Sequence, residues 1–219
     1  MSKFFRIPEK SQCENDTRET VGKSNESGES GGCFHEASMV QLNWCEQKQM
    51  KDLLIGDRVL TVNKNGQIEY DTVIAWIHKD ERSRHMFLNI CHELGRLFIS
   101  EEHILYVGKD MSSCQAFQVK IGDKIHVLVN DKHGVSCTTS TVDSIQKVPM
   151  NGLYAPLTSS GILIVDGVLV SCYAAVGSFN IIKKEIISAH SLAHLGFLPL
   201  RLAYNLGMDI NLIACIFYF

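Results

Sequence analysis

The chain has 219 residues, a formal net charge of −3 and 45% hydrophobic residues. This length is enough for one sizeable domain or two small ones, and a content of only four prolines argues against a low-complexity protein. Since there is no basic excess, no nucleic-acid partner is expected.

Residues 1–32 form a polar leader rich in Ser, Glu, Lys and Asn. Such a composition cannot supply a core, so the leader is predicted to be disordered and to be the end of an upstream segment. The first residues, MSKFFRIPEKSQ, have charge but no apolar region behind them, so they do not form a secretory signal. The sequence is therefore expected to be either a cytosolic protein or a fragment of a longer precursor.

The chain changes character at Cys33, which directly follows two glycines. The carbonyl of Gly32 is unhindered, and a thiolate at Cys33 could attack it and convert the peptide bond into a thioester. A single cysteine is more often a packing residue, so this junction by itself leaves both interpretations open.

Residues 33–176 contain short apolar or alternating runs separated by turns, which is typical of an all-β domain. Glycine-containing turns are predicted at residues 63–66, 131–134 and 159–161. The predicted strands are RVLTV (58–62), QIEYDTVIAWI (67–77), RLFIS (96–100), HILYV (103–107), KIHVLVN (124–130) and the two within GILIVDGVLVSCYAAV (161–176).

Two similar stretches of sequence suggest a duplicated β unit. Leu54-Ile55-Gly56-Asp57-Arg58-Val59 and Lys120-Ile121-Gly122-Asp123-Lys124-Ile125 each precede a strand, a glycine turn and a second strand. The matching order favours two similar halves about a pseudo-twofold axis. Chance is the alternative, because Gly-Asp turns are common.

Ser100-Glu101-Glu102-His103 lies between two predicted strands and offers acid–base chemistry. His103 can protonate a departing amine near neutral pH, and Ser100 can hydrogen-bond the amide or orient His103. The alternative is a surface turn with a solvated histidine.

Residues 177–219 are predicted to form a helical and apolar appendage, interrupted near Gly196 and Pro199. Its last run, LIACIFYF (212–219), is too short to span a membrane. His190 and His194 have a spacing that can bind metal, but no third ligand is evident. Packing or contact with a membrane surface is therefore favoured, and no metal is expected.

The eight cysteines are scattered and include no Cys-x-x-Cys pair, which argues against a structural zinc site. The chain is also long for a disulfide scaffold. Most of these cysteines are expected to be buried thiols.

Several stretches together resemble the C-terminal autoprocessing domain of Hedgehog proteins, which belongs to the Hint group shared with inteins. The matching stretches are GGCF (31–34), MKDLLIGDRVL (50–60), ISEEHILYV (99–107), GLYAPLTSSGILIVDGVLVSCYA (152–174) and SAHSLAHLGFLPLRL (188–202). The resemblance implies an all-β, horseshoe-like Hint module over residues 33–176, with pseudo-twofold internal duplication. Residues 177–219 would then resemble the start of the sterol-recognition region.

The resemblance also implies roles for particular residues. Cys33 would be the nucleophile that forms a thioester with Gly32, and His103 would assist cleavage of the amide. Ser100 stands where the family has threonine and keeps the hydroxyl. Cys172 would lie near the active site, where it tunes the thiol or forms a disulfide with Cys33.

In the family, the hydroxyl of cholesterol then attacks the thioester and leaves the upstream segment as a sterol ester. The implied co-substrate is a sterol such as cholesterol, with no cofactor. A monomer in the secretory pathway is implied, and contact of the C-terminal segment with a membrane surface is a further expectation.

The residue expected to activate the sterol hydroxyl departs from the family. His78, which follows the predicted strand ending at Ile77, stands in place of an aspartate. An imidazole can also be a general base. Asp80 could substitute only if the loop shifted, and an exposed loop histidine without a role is the alternative for His78.

The leading hypothesis is therefore a single-turnover, self-cleaving cysteine endopeptidase and sterol transferase. A second is a Hint-fold lipid- or protein-binding module with weak or hydrolytic-only self-cleavage. A third is a cysteine hydrolase that acts on other molecules through Cys33 and His103. A purely structural β domain is the fourth.

Overall fold

The structure, a computed structural model, describes residues 33–43, 46–63, 65–131, 134–174 and 194–208. Within them the dominant element is the antiparallel β-strand, which confirms the all-β prediction. The eleven strands of this part of the chain are β1 (Met39–Asn43), β2 (Glu46–Gln49), β3 (Arg58–Val62), β4 (Ile68–His92), β5 (Gly95–Ile99), β6 (His103–Val107), β7 (Ser112–Gln115), β8 (Lys124–Asp131), β9 (Gly134–Thr158), β10 (Ile162–Val165) and β11 (Val168–Ala174).

The strands join in the order β2-β1-β10-β11-β6-β8-β9-β4-β3, with β5 beside β4 and β7 beside β6. Short 3₁₀-helical turns lie at Met50–Asp52 and Ala116–Gln118. The α-helix α1 spans Leu198–Asn205, and residues 194–196 before it are also helical. The order brings β1, at the beginning of the β domain, beside β10 near its end. The segment that begins at Cys33 reaches β9, where Phe34 pairs with Tyr154.

The predicted strands at residues 58–62 and 103–107 have the bounds that the structure gives to β3 and β6. Both are short runs rich in β-branched and aliphatic residues, and most of their side chains are buried. The turn after β3 forms because the side-chain oxygen of Asn63 accepts hydrogen bonds from the N–H groups of Asn65 (2.9 Å) and Gln67 (3.1 Å).

One prediction about the fold is wrong: the strand at residues 67–77 does not end at Ile77. β4 continues as far as His92 because most of its length pairs with β9, from Val73 opposite Thr158 to His92 opposite Val142. Register shifts along this ladder let two 25-residue strands bend without losing their pairing. His78 therefore lies within a strand rather than in a loop.

The duplication predicted from the two Gly-Asp turns is present. β4 and β9 start at residues 68 and 134 and end at residues 92 and 158, so both ends differ by 66 positions. They pair antiparallel with each other, as two equivalent strands do across a twofold axis.

The two Gly-Asp turns also have the same hydrogen bonds. Gly56 has φ +96° and donates to the carbonyl of Val73 at 2.8 Å, while Gly122 has φ +92° and donates to the carbonyl of Val142 at 2.9 Å. In both turns the aspartate side chain accepts a backbone N–H three residues earlier, at 2.8 Å. The local chemistry of the two units is therefore the same.

The helix α1 packs against the β domain through aromatic and aliphatic contacts. Phe197 stacks on Tyr173 with ring centroids 5.3 Å apart, and Leu200 is buried. Nδ1 of His194 lies 2.9 Å from the hydroxyl of Tyr173, so this side chain contacts the β domain. The expected interruption is visible at Pro199, which occupies the first turn of α1.

The polar leader of residues 1–32 and the predicted helical and apolar stretches at 175–193 and 209–219 lie outside the described residues. So does His190. In the part of the chain that the structure does describe, no helix has the length and apolar character that crossing a membrane requires.

Candidate active site

The backbone of Cys33 is held by two hydrogen bonds to Ser100. The N–H of Cys33 donates to Oγ of Ser100 at 2.8 Å, and the N–H of Ser100 donates to the carbonyl of Cys33 at 3.1 Å. The nitrogen of Cys33 belongs to the peptide bond that joins it to Gly32. The hydroxyl of Ser100 therefore accepts the hydrogen of the amide that we predict to be cleaved.

The thiol of Cys33 lies in an apolar environment. The residue is 1% exposed and packs in a cluster with Phe87, Leu153 and Ala155. Burial raises the pKa of Cys33 to about 12. The resting thiol is therefore protonated at neutral pH, and attack requires that its proton be removed during the reaction.

His103 lies beside this junction, at the first residue of β6. Its N–H donates to the carbonyl of Ser100 at 3.2 Å, and its ring lies 4.3 Å from that of Phe34, the residue after Cys33. Nε2 is 2.7 Å from the carbonyl of Ser171. Because a carbonyl only accepts hydrogen bonds, Nε2 carries the hydrogen. The structure thus brings Cys33, Ser100 and His103 together.

Cys172 follows Ser171 in β11 and is also fully buried. Its sulfur lies 3.4 Å from the hydroxyl of Thr158, and burial raises its pKa to about 12. Cys33 and Cys172 are both free thiols in this structure. Of the described cysteines, Cys91 departs from the expectation of plain thiols because it is disulfide-bonded.

His78 is connected to Cys33 across β9. Its position in β4 is opposite Ala155, and Ala155 belongs to the apolar cluster around Cys33. Phe34 pairs with Tyr154 in an isolated bridge, which puts Cys33 on the other side of β9 from β4. With neighbouring strands about 4.8 Å apart, the backbones at Cys33 and His78 are separated by about 10 Å. His78 is half-buried.

Asp80 lies at an irregularity of β4, where the pairing with β9 shifts register before Arg84. Its carboxylate accepts hydrogen bonds from the hydroxyl and N–H of Ser83 and from the N–H of Arg82, the last at 2.8 Å. The bond from the Ser83 hydroxyl, followed by that from Arg82, lowers the pKa of Asp80 to about 2. Asp80 could replace His78 only if these hydrogen bonds were broken and this part of β4 shifted.

The sequence did not single out His35, which is 6% exposed and lies two residues after Cys33. Its ring meets that of Phe98 edge-on at 5.1 Å, and Nδ1 accepts a hydrogen bond from the N–H of Ala37 at 3.2 Å. Burial, with Arg96 nearby, lowers the pKa of His35 to about 4, so it is neutral at pH 7. The signal in the sequence was its position two residues after Cys33, because residues i and i+2 of an extended segment lie on the same face.

Three His, Cys, Asp or Glu side chains close enough to hold a metal ion are not found among the described residues. The groups that this arrangement brings together are a nucleophilic thiol, a hydroxyl beside the amide nitrogen and an imidazole.

Comparison with protein families identifies the Hint module, which matches residues 21–211. Among curated proteins, the Tiggy-winkle hedgehog protein of Danio rerio is 33% identical over 187 residues, which cover 82% of this chain and 42% of that protein. Protein hedgehog of Drosophila virilis is 32% identical over 178 residues, covering 80% of this chain and 34% of that protein. The chain thus spans less than half the length of these relatives.

Two solved intein structures share the fold. The crystal structure of the gp41-1 intein has a TM-score of 0.51 and 21% identity, and the comparison covers 65% of this chain and 99% of that one. The Ssp DnaB mini-intein variant M86 has a TM-score of 0.56 and 11% identity, covering 67% of this chain and 96% of that one. At these identities the likeness concerns the fold alone, and it confirms the expected Hint-type architecture.

Proposed function

Because the chain belongs to the Hint module family, we propose that it cleaves its own backbone before Cys33 and transfers the upstream segment to a hydroxyl. The observation that supports this most directly is the hydrogen bond from the N–H of Cys33 to Oγ of Ser100. A hydroxyl on a buried amide nitrogen, beside a buried histidine and next to a thiol, suits an N-to-S acyl shift.

In the first step, Sγ of Cys33 attacks the carbonyl carbon of Gly32 and loses its proton. The bond between that carbon and the nitrogen of Cys33 breaks, and the nitrogen takes up a proton to become an amine. Because Nε2 of His103 keeps its hydrogen on the carbonyl of Ser171, Nδ1 is the nitrogen that takes up the proton lost by the thiol and passes it to the nitrogen of Cys33. Ser100 holds that nitrogen in place. The product is an isomer in which a thioester replaces the peptide bond.

In the second step, an alcohol oxygen attacks the thioester carbon and loses its proton. The carbon–sulfur bond breaks, the sulfur takes up a proton, and an ester remains on the upstream segment. We propose a sterol such as cholesterol as the alcohol and His78 as the base. The chain acts once, since the nucleophile is part of its own substrate, and it requires no cofactor.

We further propose that the protein acts in the secretory pathway as a monomer and that its C-terminal segment contacts a membrane surface. The disulfide bond at Cys91 supports an oxidising compartment. The exposed leucines of the α1 region support the membrane contact; they are Leu195, Leu198, Leu202 and Leu206.

A binding module with weak or hydrolytic-only cleavage is the second candidate. It is favoured by the environment of His78. The carboxylate of Asp80 is already hydrogen-bonded to the N–H groups of Arg82 and Ser83 and does not replace the missing aspartate. A hydrolase acting on other molecules is disfavoured, because Cys33 is only 1% exposed and the amide held beside its thiol is that of its own chain.

The test is the intact mass of the chain after incubation with dithiothreitol, with and without cholesterol. We expect a new fragment that starts at Cys33 and, with cholesterol, a 1–32 peptide heavier by one sterol minus water. Cys33→Ala should stay uncut. Cys114→Ala removes another free thiol that is not in the site and should be cut like the unmodified chain.

The outcomes separate the candidates. A 1–32 peptide ending in a free acid or a dithiothreitol adduct under all conditions would support the first step and contradict sterol transfer. A chain that stays uncut with dithiothreitol and with cholesterol would contradict self-cleavage and favour the binding module.

A further inference from the structure

The carboxylate of Asp166 binds the segment that follows Cys33. Oδ1 accepts the N–H of Met39 at 2.8 Å, and Oδ2 accepts the hydroxyl of Ser38 at 3.1 Å. The N–H of Asp166 in turn donates to the carbonyl of Met39 at 2.8 Å. Asp166 has φ +51° in the turn between β10 and β11, a backbone conformation that few side chains adopt without a compensating contact.

This pair of bonds repeats the contact that Ser100 makes with Cys33. In each case the residue directly after a strand accepts a backbone N–H through its side chain and donates its own N–H to the carbonyl of that same partner residue. Ser100 follows β5 and Asp166 follows β10, and the two residues are 66 positions apart, like the ends of β4 and β9. Equivalent positions of the two repeated units therefore hold the two ends of the segment Cys33–Met39.

Asp166 also contacts the strand that leads to Ser100. Its carboxylate lies near the backbone of Phe98, two residues before Ser100, and the charge of Arg96 on the same strand favours the ionised form. The side chain of Ser38 is 1% exposed, so its bond to Asp166 is shielded from water. One carboxylate thus ties together β5, the turn before β11 and the segment after the nucleophile.

We propose that Asp166 is a positioning residue for self-cleavage, which with Ser100 holds the segment Cys33–Met39 at both ends and keeps the Gly32–Cys33 amide in place. This inference rests on the proposed function. Small displacements of a reacting group cost rate steeply, so loss of one end of this clamp slows the acyl shift.

The clamp has a second consequence after the first step. Once the nitrogen of Cys33 becomes an amine, the bond between the Cys33 N–H and Ser100 no longer exists in its resting form. The bonds of Asp166 to Ser38 and Met39 involve no reacting atom and persist. Asp166 therefore holds the thioester in the site while the alcohol arrives.

The variant Asp166→Asn tests this, because the amide has the shape of the carboxylate but cannot accept all of its hydrogen bonds. Asp123→Asn is the matched control: Asp123 also accepts a backbone N–H in a tight turn, but it contacts none of the segments above. We expect dithiothreitol-induced cleavage to slow by about tenfold or more in Asp166→Asn and to be unchanged in Asp123→Asn.

Two further readouts distinguish positioning from general stability. In the uncleavable Cys33→Ala background, Asp166→Asn should speed amide hydrogen exchange in residues 34–39 by about tenfold and leave β8 and β9 unaffected. The second readout is the pH dependence of the cleavage rate. Burial raises the pKa of Asp166 to about 6, and a protonated carboxyl resembles the amide of asparagine. The charged group facing Asp166 is Arg96, and the rate advantage of the unmodified chain should vanish below that pH.

Cleavage of Asp166→Asn at the unmodified rate would overturn the clamp and leave the proposed function standing. So would a variant that only lowers the melting temperature. If the unmodified chain is not cleaved, the proposed function fails. The exchange measurement then decides on the clamp, and unchanged exchange in residues 34–39 would overturn it.

Discussion

At the scale of single residues, the site depends on how one buried amide is satisfied. The N–H of Cys33 is removed from water, and its hydrogen-bond partner is the hydroxyl of Ser100. Leaving a buried donor without a partner costs about 1–3 kcal/mol, so the site is sensitive to loss of the single oxygen atom that accepts this N–H. Ser100 therefore contributes both to the position of the amide and to its reactivity.

Replacing Ser100 by alanine should slow dithiothreitol-induced cleavage by about ten- to hundredfold, which corresponds to loss of that hydrogen bond. Ser100→Thr keeps the hydroxyl and should retain most of the rate. Rates are measured by gel densitometry of the cut and uncut chains. Ser112→Ala is the control, because its hydroxyl bonds to Asp110 on the exposed surface of β7. Equal rates for Ser100→Ala and the unmodified chain would show that the hydroxyl has no part in cleavage.

At the scale of elements, the two Gly-Asp turns show how a repeated sequence makes a repeated structure. Each turn requires a glycine with positive φ, because only then can its N–H reach the carbonyl at the start of the following ladder. Each aspartate closes its turn through a side-chain bond to a backbone N–H. The β3–β4 ladder and the β8–β9 ladder therefore begin at equivalent positions after their turns.

Alanine at Gly56 or at Gly122 should each lower the free energy of unfolding by about 1–2 kcal/mol, because an L side chain is disfavoured at these positive φ values. An added Cβ at either position meets no neighbouring atom, so backbone strain is the cause and the two losses should be similar. Urea unfolding monitored by circular dichroism gives the values.

Gly196→Ala is the matched control for these two variants. Gly196 has an ordinary φ and open space around it, so alanine there should be neutral or stabilising. Losses of very different size at Gly56 and Gly122 would contradict the equivalence of the two turns.

At the scale of the whole molecule, several buried groups make stability depend on pH. Burial lowers the pKa of His35 and of His92 to about 4 each, and burial raises the pKa of Asp166 to about 6. An unfolded histidine titrates near 6.5 and an unfolded aspartate near 3.9. Between pH 4 and 6, unfolding therefore takes up two protons at the histidines and releases one at Asp166.

The free energy of unfolding should accordingly fall as the pH is lowered from about 6.5 to 4, by about 1.4 kcal/mol per pH unit for the one net proton. The sign follows from the two histidines. Below about pH 6.5 the unfolded chain binds a proton at each of them, whereas the folded chain does so only near pH 4, so a lower pH favours unfolding. Urea unfolding at a series of pH values measures the slope. His92→Gln removes one of the two proton-binding groups and should bring the slope close to zero. A slope that is the same with and without His92 would contradict this assignment.

Much of the fold could be predicted from the sequence because it depends on local chemistry. The bounds of β3 and β6, the all-β class and the duplication all follow from alternating side chains and from glycine-containing turns. The length of β4 could not be predicted. Residues 78–92 are polar in their first half and stay extended because β9 pairs with them, a contact between positions far apart in the chain.

For the site, the sequence by itself determined which groups are present: a thiol after two glycines, a hydroxyl and an imidazole three residues apart, and a histidine at position 78, where the family resemblance implies an aspartate. Only the tertiary structure decided that the hydroxyl of Ser100 lies on the amide of Cys33, that His78 is in a strand and that Asp166 holds Met39. The physical reason is that residue chemistry and turn preference are properties of neighbours in sequence. Hydrogen bonds across 67 or 127 positions exist only after the two repeated units have packed and expelled water from between them.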